Sequence, residues 1–264
     1  MRDSAGTGSG LDAAQIEAFH SVGYVTVDGV FTPAEVDDLR AAFDRLEKMA
    51  STMRVTQMHR GSRFVLGPPR GPGHAGPAVI RRIVWCGAAE PVLSRYGKDP
   101  RLTRMAAALL DSPTMSQLIN QAHYKSPGDG VHFPWHQDST HRRHGGDEWK
   151  DVNGRGSYVQ TLTAIDDVTP DNGPLQLIPF TGKLGHLALA PGGPLPDSVR
   201  PETARPALMK AGSVLLFGPY TIHMSEPNES SHPRRAFLNG FAAPGANRRV
   251  YPGTGAGRCL RAGD

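Results

Sequence analysis

The stretch WHQDST, from Trp135 to Thr140, holds His136 and Asp138 two positions apart. On a β-strand, whose side chains alternate between faces, that spacing would turn an imidazole and a carboxylate toward one point. A third donor stands far down the chain in GPYTIHMS, as His223. Two histidine nitrogens and one hard carboxylate on one face of a metal leave the opposite face open, the arrangement of non-haem Fe(II) oxygenases. An HxD pair alone is weak, because a strand histidine is more often a packed or surface residue than a ligand. The pair gains weight only from the segments that surround it.

Bringing these side chains together takes strands on both sides of them and helices to cover the strands. Thr32-Pro33-Ala34-Glu35 is a helix start, with threonine as N-cap, proline at the first helical position and glutamate at the third. Val36, Leu39, Phe43 and Leu46 continue its apolar stripe to about residue 49. Further helices are expected at 11–22 and 99–110, and strands at 24–27, 115–125, 158–165, 175–179, 214–217 and 235–241. Many short strands with helices outside them form a mainly β barrel or sandwich.

Two segments read as loops over the site. Residues 61–77 are dense in glycine and proline and form a candidate lid; their GPGHAG run fits GxGxxG, but the prolines at 68, 69, 72 and 77 forbid the helix start that a dinucleotide fingerprint needs. Residues 140–156, polar and glycine-rich, are expected to be flexible and to cover a substrate. Their His141, His144, Asp147 and Glu148 lack a spacing that would hold a metal. Trp149 in this loop, and Tyr124 and Lys125 on the strand leading to the HxD pair, are the candidate substrate contacts, with simple packing as the alternative for Trp149. His132, four before His136, is expected to pack beside the site, since Pro134 interrupts the strand between them.

Four segments in order, GYVTVDGVFTPAEVDDLR, WHQDS, TAIDDVTPDNGPLQLIPFTGKLGH and AGSVLLFGPYTIHMSEPNESSHPRRAF, resemble the phytanoyl-CoA dioxygenase family of Fe(II)- and 2-oxoglutarate-dependent oxygenases. The resemblance implies a double-stranded β-helix, a cupin-like jelly roll, with the metal in its mouth. It places the metal ligands, which are also the catalytic residues, on His136, Asp138 and His223. It places the arginine that grips the distal carboxylate of 2-oxoglutarate on Arg234, and a helper hydroxyl on Ser225. Adjacent strand residues face opposite ways, so only one of Arg234 and Arg235 can enter the barrel, and the family's spacing selects Arg234. The implied cofactors are Fe(II) and 2-oxoglutarate; the implied partners are molecular oxygen and a small-molecule substrate. Halogenating relatives carry a small residue in place of the carboxylate, so Asp138 argues against halogenation. Hydroxylation of an amino acid or secondary-metabolite scaffold is expected, and oxidative cyclisation, desaturation or epimerisation in antibiotic biosynthesis would use the same iron site.

The 264 residues suit one oxygenase domain over 11–244, with a disordered N-terminus at 1–10 and an irregular tail at 245–264. Two cysteines, Cys86 and Cys259, make neither a disulfide framework nor a zinc site and fit a cytoplasmic protein. No apolar run could span a bilayer, so no membrane partner is expected. The net charge is +4 and the isoelectric point about 9.2. The arginines come as scattered pairs, Arg81-Arg82, Arg142-Arg143, Arg234-Arg235 and Arg248-Arg249, rather than as a basic run. That pattern fits a solvated surface with a mild preference for small anions, and no nucleic-acid partner is expected. Oligomeric state stays open. Two other classes remain to be separated from the enzyme: a ligand-binding barrel without iron, and a nucleic-acid module suggested by charge alone.

Overall fold

Two antiparallel sheets carry the strands that side-chain alternation predicts. The computed structural model describes residues 10–67, 78–190 and 192–264. In chain order the strands are β1 (Tyr24–Val27), β2 (Gln57–His59), β3 (Ser62–Gly67), β4 (Val79–Val84), β5 (Thr114–Lys125), β6 (Phe133–His136), β7 (Tyr158–Ala164), β8 (Leu175–Leu177), β9 (Arg205–Pro206), β10 (Val214–Phe217), β11 (His223–Ser225), β12 (Arg234–Ala242) and β13 (Arg258–Arg261). The larger sheet runs β1-β10-β7-β12-β5-β4-β3-β2 with β13 joined to β5, and the smaller runs β6-β11-β8-β9. Neighbouring strands come from distant parts of the chain, the crossing connectivity of a double-stranded β-helix.

The helices are α1 (Ala13–Val22), α2 (Pro33–Ala50), α3 (Pro91–Tyr96), α4 (Pro100–Leu110) and the single turn α5 (Asp138–His141). The capping box of α2 forms: the Thr32 N–H donates to Glu35 Oε2 at 2.8 Å and the Glu35 N–H to Thr32 Oγ1 at 3.3 Å. Leu39, Phe43 and Leu46 of α2 and Leu102 and Met105 of α4 are buried in one cluster with Tyr124, Val159, Leu216 and Phe237 of the larger sheet. Truncating any of those leucines to alanine would cost about 2–5 kcal/mol. This layer holds one face of the sheet rigid. The opposite face, with Leu162, Leu215 and Phe217, packs toward Leu177 of the smaller sheet, and the site lies between the two. Among the described residues, no helix is long and apolar enough to cross a membrane.

Two expectations are corrected here. The stretch 61–77 contains strand β3, which pairs with β4 and buries Ser62 and Phe64 completely; flanking glycines disguised an ordinary alternation. The rest of that stretch, 68–77 with its GPGHAG run, lies outside the described residues, as do residues 1–9. The tail 245–264 is not irregular throughout, because Arg258–Arg261 add a strand alongside Thr114–Gln117 of β5.

Candidate active site

His136 ends β6 and lies directly opposite His223 of β11 in the register of the smaller sheet. Their rings stand 4.2 Å apart between centroids. Asp138 is not on the strand, as the spacing suggested. It opens the turn α5, and that turn, rather than strand pleating, swings its carboxylate back toward the two rings. Gln137 makes the bend possible. Its fully buried amide donates to the carbonyls of Gly185 at 2.9 Å and Tyr220 at 2.7 Å and accepts from the Leu187 N–H at 2.8 Å. The Ser139 N–H donates to the Pro219 carbonyl at 2.9 Å, so the chain is pinned on both sides of Asp138.

The donor atoms of His136, Asp138 and His223 all lie within 4.8 Å of one another. Each ring's Nδ1 sits on a main-chain carbonyl, His136 on Pro134 at 2.7 Å and His223 on Thr221 at 2.9 Å. A carbonyl accepts only, so Nδ1 carries the proton and Nε2 presents its lone pair. Burial, with His136 as a like neighbour, lowers the His223 pKa to about 4, keeping it neutral. For Asp138 burial acts upward, but His223, Arg142 and His136 outweigh it and the pKa is lowered. Two neutral imidazoles and an ionised carboxylate are the protonation states that bind a divalent metal, and the set fits Fe(II).

The same cavity, of ≈ 610 Å³, holds a cationic corner. Arg234 is 6% exposed; its Nη2 donates to the Gly173 carbonyl at 2.5 Å, while its buried Nε has no partner. Gly173 has φ +71° and packs on the Glu226 carbonyl, so the turn that offers this acceptor accepts no side chain. Lys125 pairs with Arg234 in the β12–β5 register, and its Nζ donates to Ser225 Oγ at 2.8 Å and to the Glu226 carbonyl. Burial, then the charge of Arg234, pushes the Lys125 pKa down to about 6. Arg235 faces the other way, onto Asp166 and Asp44.

The candidate substrate contacts divide. Lys125 is on the cavity wall. Tyr124 borders it, but its ring packs against Phe43 at 5.2 Å and its hydroxyl donates to the Phe43 carbonyl at 3.0 Å, on the helix side of the sheet. Trp149 does not line the cavity: it stacks on His144 at 4.6 Å and donates to the Gly156 carbonyl at 3.2 Å. Its neighbourhood is packed rather than loose, with the Lys150 N–H on the Ala246 carbonyl at 2.8 Å and the Arg248 N–H on Glu148 at 2.9 Å. His132 is exposed and does not line the cavity. Sequence reasoning missed Gln121 and His123, which share the inward face of β5 with Lys125, and His141, whose ring lies 5.4 Å from that of His136.

The model of the phytanoyl-CoA dioxygenase (PhyH) family matches residues 19–236. The chain belongs to this family. It is 26% identical to the L-proline trans-4-hydroxylase of Streptomyces griseoviridis over 62% of this chain and 67% of that one. It is 24% identical to the ectoine dioxygenase of Bordetella bronchiseptica over 85% of this chain and 73% of that one. Among solved structures it resembles the non-haem α-ketoglutarate-dependent epimerase SnoN from nogalamycin biosynthesis, with a TM-score of 0.66 and 19% identity over 87% of this chain and 82% of that one. The fold is thus the family's jelly roll, and the protein is an Fe(II)- and 2-oxoglutarate-dependent dioxygenase.

Proposed function

We propose that His136, Asp138 and His223 hold the Fe(II), that Arg234 receives the distal carboxylate of 2-oxoglutarate with Lys125 and Ser225 beside it, and that the enzyme hydroxylates a small molecule of amino-acid or secondary-metabolite type. One observation carries this reading. The three donors and a buried arginine with an unmet N–H share one cavity, and the arginine's strand neighbour Arg235 is committed elsewhere. Bound there, iron supplies the one-electron redox chemistry that molecular oxygen needs to react with closed-shell organic molecules.

The chain's own part is positioning. The Pro134 and Thr221 carbonyls hold each histidine in one tautomer and orientation. Arg234 offers a planar fork, which suits a carboxylate better than an ammonium would. Phe217 lies edge-on to the His223 ring at 4.8 Å and shields it from water. The cavity is of the size that takes the cosubstrate with a small substrate. The balanced reaction consumes substrate, 2-oxoglutarate and oxygen and yields hydroxylated substrate, succinate and carbon dioxide.

The named activities of the proline and ectoine relatives favour hydroxylation. The likeness to SnoN supports a second reading, epimerisation of an antibiotic scaffold, in which the same residues act but no oxygen atom is retained in the product. The free thiols of Cys86 and Cys259 agree with a cytoplasmic enzyme. The test is anaerobic titration of the apoprotein with Fe(II) and then 2-oxoglutarate, followed by succinate release over a panel of amino acids and glycosides. His136→Ala, Asp138→Ala and His223→Ala should each abolish iron binding while leaving thermal unfolding cooperative, because apolar packing holds the sheets. Unchanged iron affinity in any of the three removes that residue from the site.

A further inference from the structure

Among the described residues, five arginines, Arg82, Arg142, Arg143, Arg234 and Arg249, line the cavity together with Lys125, against the single carboxylate of Asp138. Asp138 belongs with the metal, and Lys125 and Arg234 with the cosubstrate. None of the other four arginines enters a close ion pair among the described residues; Arg142 feels the Asp138 charge from a distance only.

Arg142 is the most demanding of them. It is 9% exposed, and its buried Nε has no hydrogen-bond partner. Its guanidinium lies 5.4 Å from the centre of the Tyr158 ring and 5.2 Å from that of Tyr251. Arg249 lies on Tyr251 as well, at 5.3 Å, and donates to the His141 carbonyl at 2.9 Å. The Tyr251 hydroxyl is also buried; it makes no hydrogen bond of normal geometry, and Arg142 is a polar group beside it. Aromatic faces attract a cation but accept no directed hydrogen bond of normal strength, so they leave the Nε–H of Arg142 unmet. A structural arginine in this protein looks different: Arg101 spends its donors on Glu35, Asp99 and the Val30 carbonyl. A buried, unpaired cation is costly, and a ligand anion with several acceptor oxygens is what would relieve it.

We propose that Arg142, with the Tyr251 hydroxyl and with Arg82 and Arg249 around it, binds an anionic group of the oxidised substrate, a carboxylate or a phosphonate. This rests on the dioxygenase reading of the same cavity and adds the substrate's chemical class. Arg142 follows Asp138 by one turn, its N–H on the Asp138 carbonyl at 3.0 Å. An anion anchored there places the rest of the molecule beside the three metal-binding residues.

The experiment is calorimetric titration of the Mn(II)-loaded protein, first with 2-oxoglutarate and then, with that site saturated, with methylphosphonate, acetate or neutral acetamide. Wild type should bind one or both anions saturably and not acetamide. Arg142→Gln should weaken anion binding about ten-fold or more, as expected for the loss of a charge-assisted hydrogen bond. Arg142→Lys should retain part of it, and 2-oxoglutarate affinity should not move. Should Arg142→Gln fail to fold, Arg82→Gln and Arg249→Gln take its place, each with a loss of about three-fold or more. No saturable anion binding by wild type, or equal binding by wild type and these variants, overturns the proposal. Failure of the first titration counts instead against the dioxygenase reading, and the Arg142 variants still decide the anion subsite on their own.

Discussion

Arg234 and Arg235 are adjacent, chemically identical and set in opposite environments, so replacing each by leucine should give opposite results. Arg234 has one carbonyl partner and a buried, unmet Nε, and burial pulls its pKa down to about 10. Its charge is therefore a burden until an anion arrives. Arg234→Leu should leave thermal stability unchanged or slightly raised, because replacing a buried unpaired charge by an apolar group is often neutral or favourable. It should weaken 2-oxoglutarate by about 2–5 kcal/mol, the cost of leaving the ligand's carboxylate unpaired, which is roughly 30-fold to a few thousand-fold in Kd. Arg235 grips Asp166 through Nε and Nη2, both at 2.9 Å, and Asp44 through Nη1 at 2.6 Å, with side-chain exposures of 12% for the arginine and 16% for Asp166. Arg235→Leu should cost about 1–3 kcal/mol of stability, several degrees in Tm for a chain of this size, and leave 2-oxoglutarate within about three-fold of wild type. Calorimetric titration and thermal unfolding of the two variants separate the outcomes. If Arg235→Leu impaired cosubstrate binding as much as Arg234→Leu, the assignment of faces along β12 would be wrong.

Two further outcomes concern protons. With its pKa near 6, Lys125 is mostly neutral at pH 7.5, and a carboxylate arriving beside it favours the charged form again. Binding of 2-oxoglutarate at that pH, measured in buffers of different ionisation enthalpy, should take up close to one proton in wild type and none in Lys125→Met; no uptake by wild type would exclude contact between Lys125 and the ligand. His144 and His223 are buried with pKa values lowered to about 4, His144 by burial and then His186, His223 by burial and then His136. Between about pH 6.5 and pH 4 the unfolded chain therefore binds more protons than the folded one. Stability is lost as pH falls through that window, by about 1.4 kcal/mol per pH unit for each histidine. The urea-unfolding free energy should fall less steeply over this range in His144→Gln than in wild type, and equal slopes would show that His144 is protonated in the fold.

The candidate metal-binding residues were legible because two histidines and an aspartate are chemically distinctive, but the way they meet was not. Strand alternation alone would have aimed His136 and Asp138 together, whereas the chain bends after His136 and is held there by Gln137, whose partners Gly185, Leu187 and Tyr220 lie far away in sequence. Such long-range main-chain partners leave no mark on a local pattern. The period of two did separate Arg234 from Arg235. Applied with the same strictness to β5, it would have shown that Tyr124 and Lys125 cannot both face a substrate, and Tyr124 indeed sits against Phe43. Trp149 carried no such signal, since a tryptophan in a polar segment can cover a ligand or fill a gap between segments, and here it packs on His144.

The charge of the chain shows how far a local reading can mislead. The pairs Arg81-Arg82, Arg142-Arg143, Arg234-Arg235 and Arg248-Arg249 look like solvated surface, and every one of them sends at least one member into the cavity. Neighbouring residues diverge from an extended backbone, so a pair can serve the surface and the interior at once. β4, the segment after Asp138, β12 and the tail each contribute, and β13 fixes the tail by pairing with β5. The high isoelectric point is therefore in part a property of the site. Without Lys125 and Arg234, the described wall of the cavity still carries four arginines against Asp138, whose own charge belongs with the proposed metal. A wall of that kind selects against neutral and cationic substrates by leaving its own charges unpaired, and an anionic group on the substrate removes the penalty.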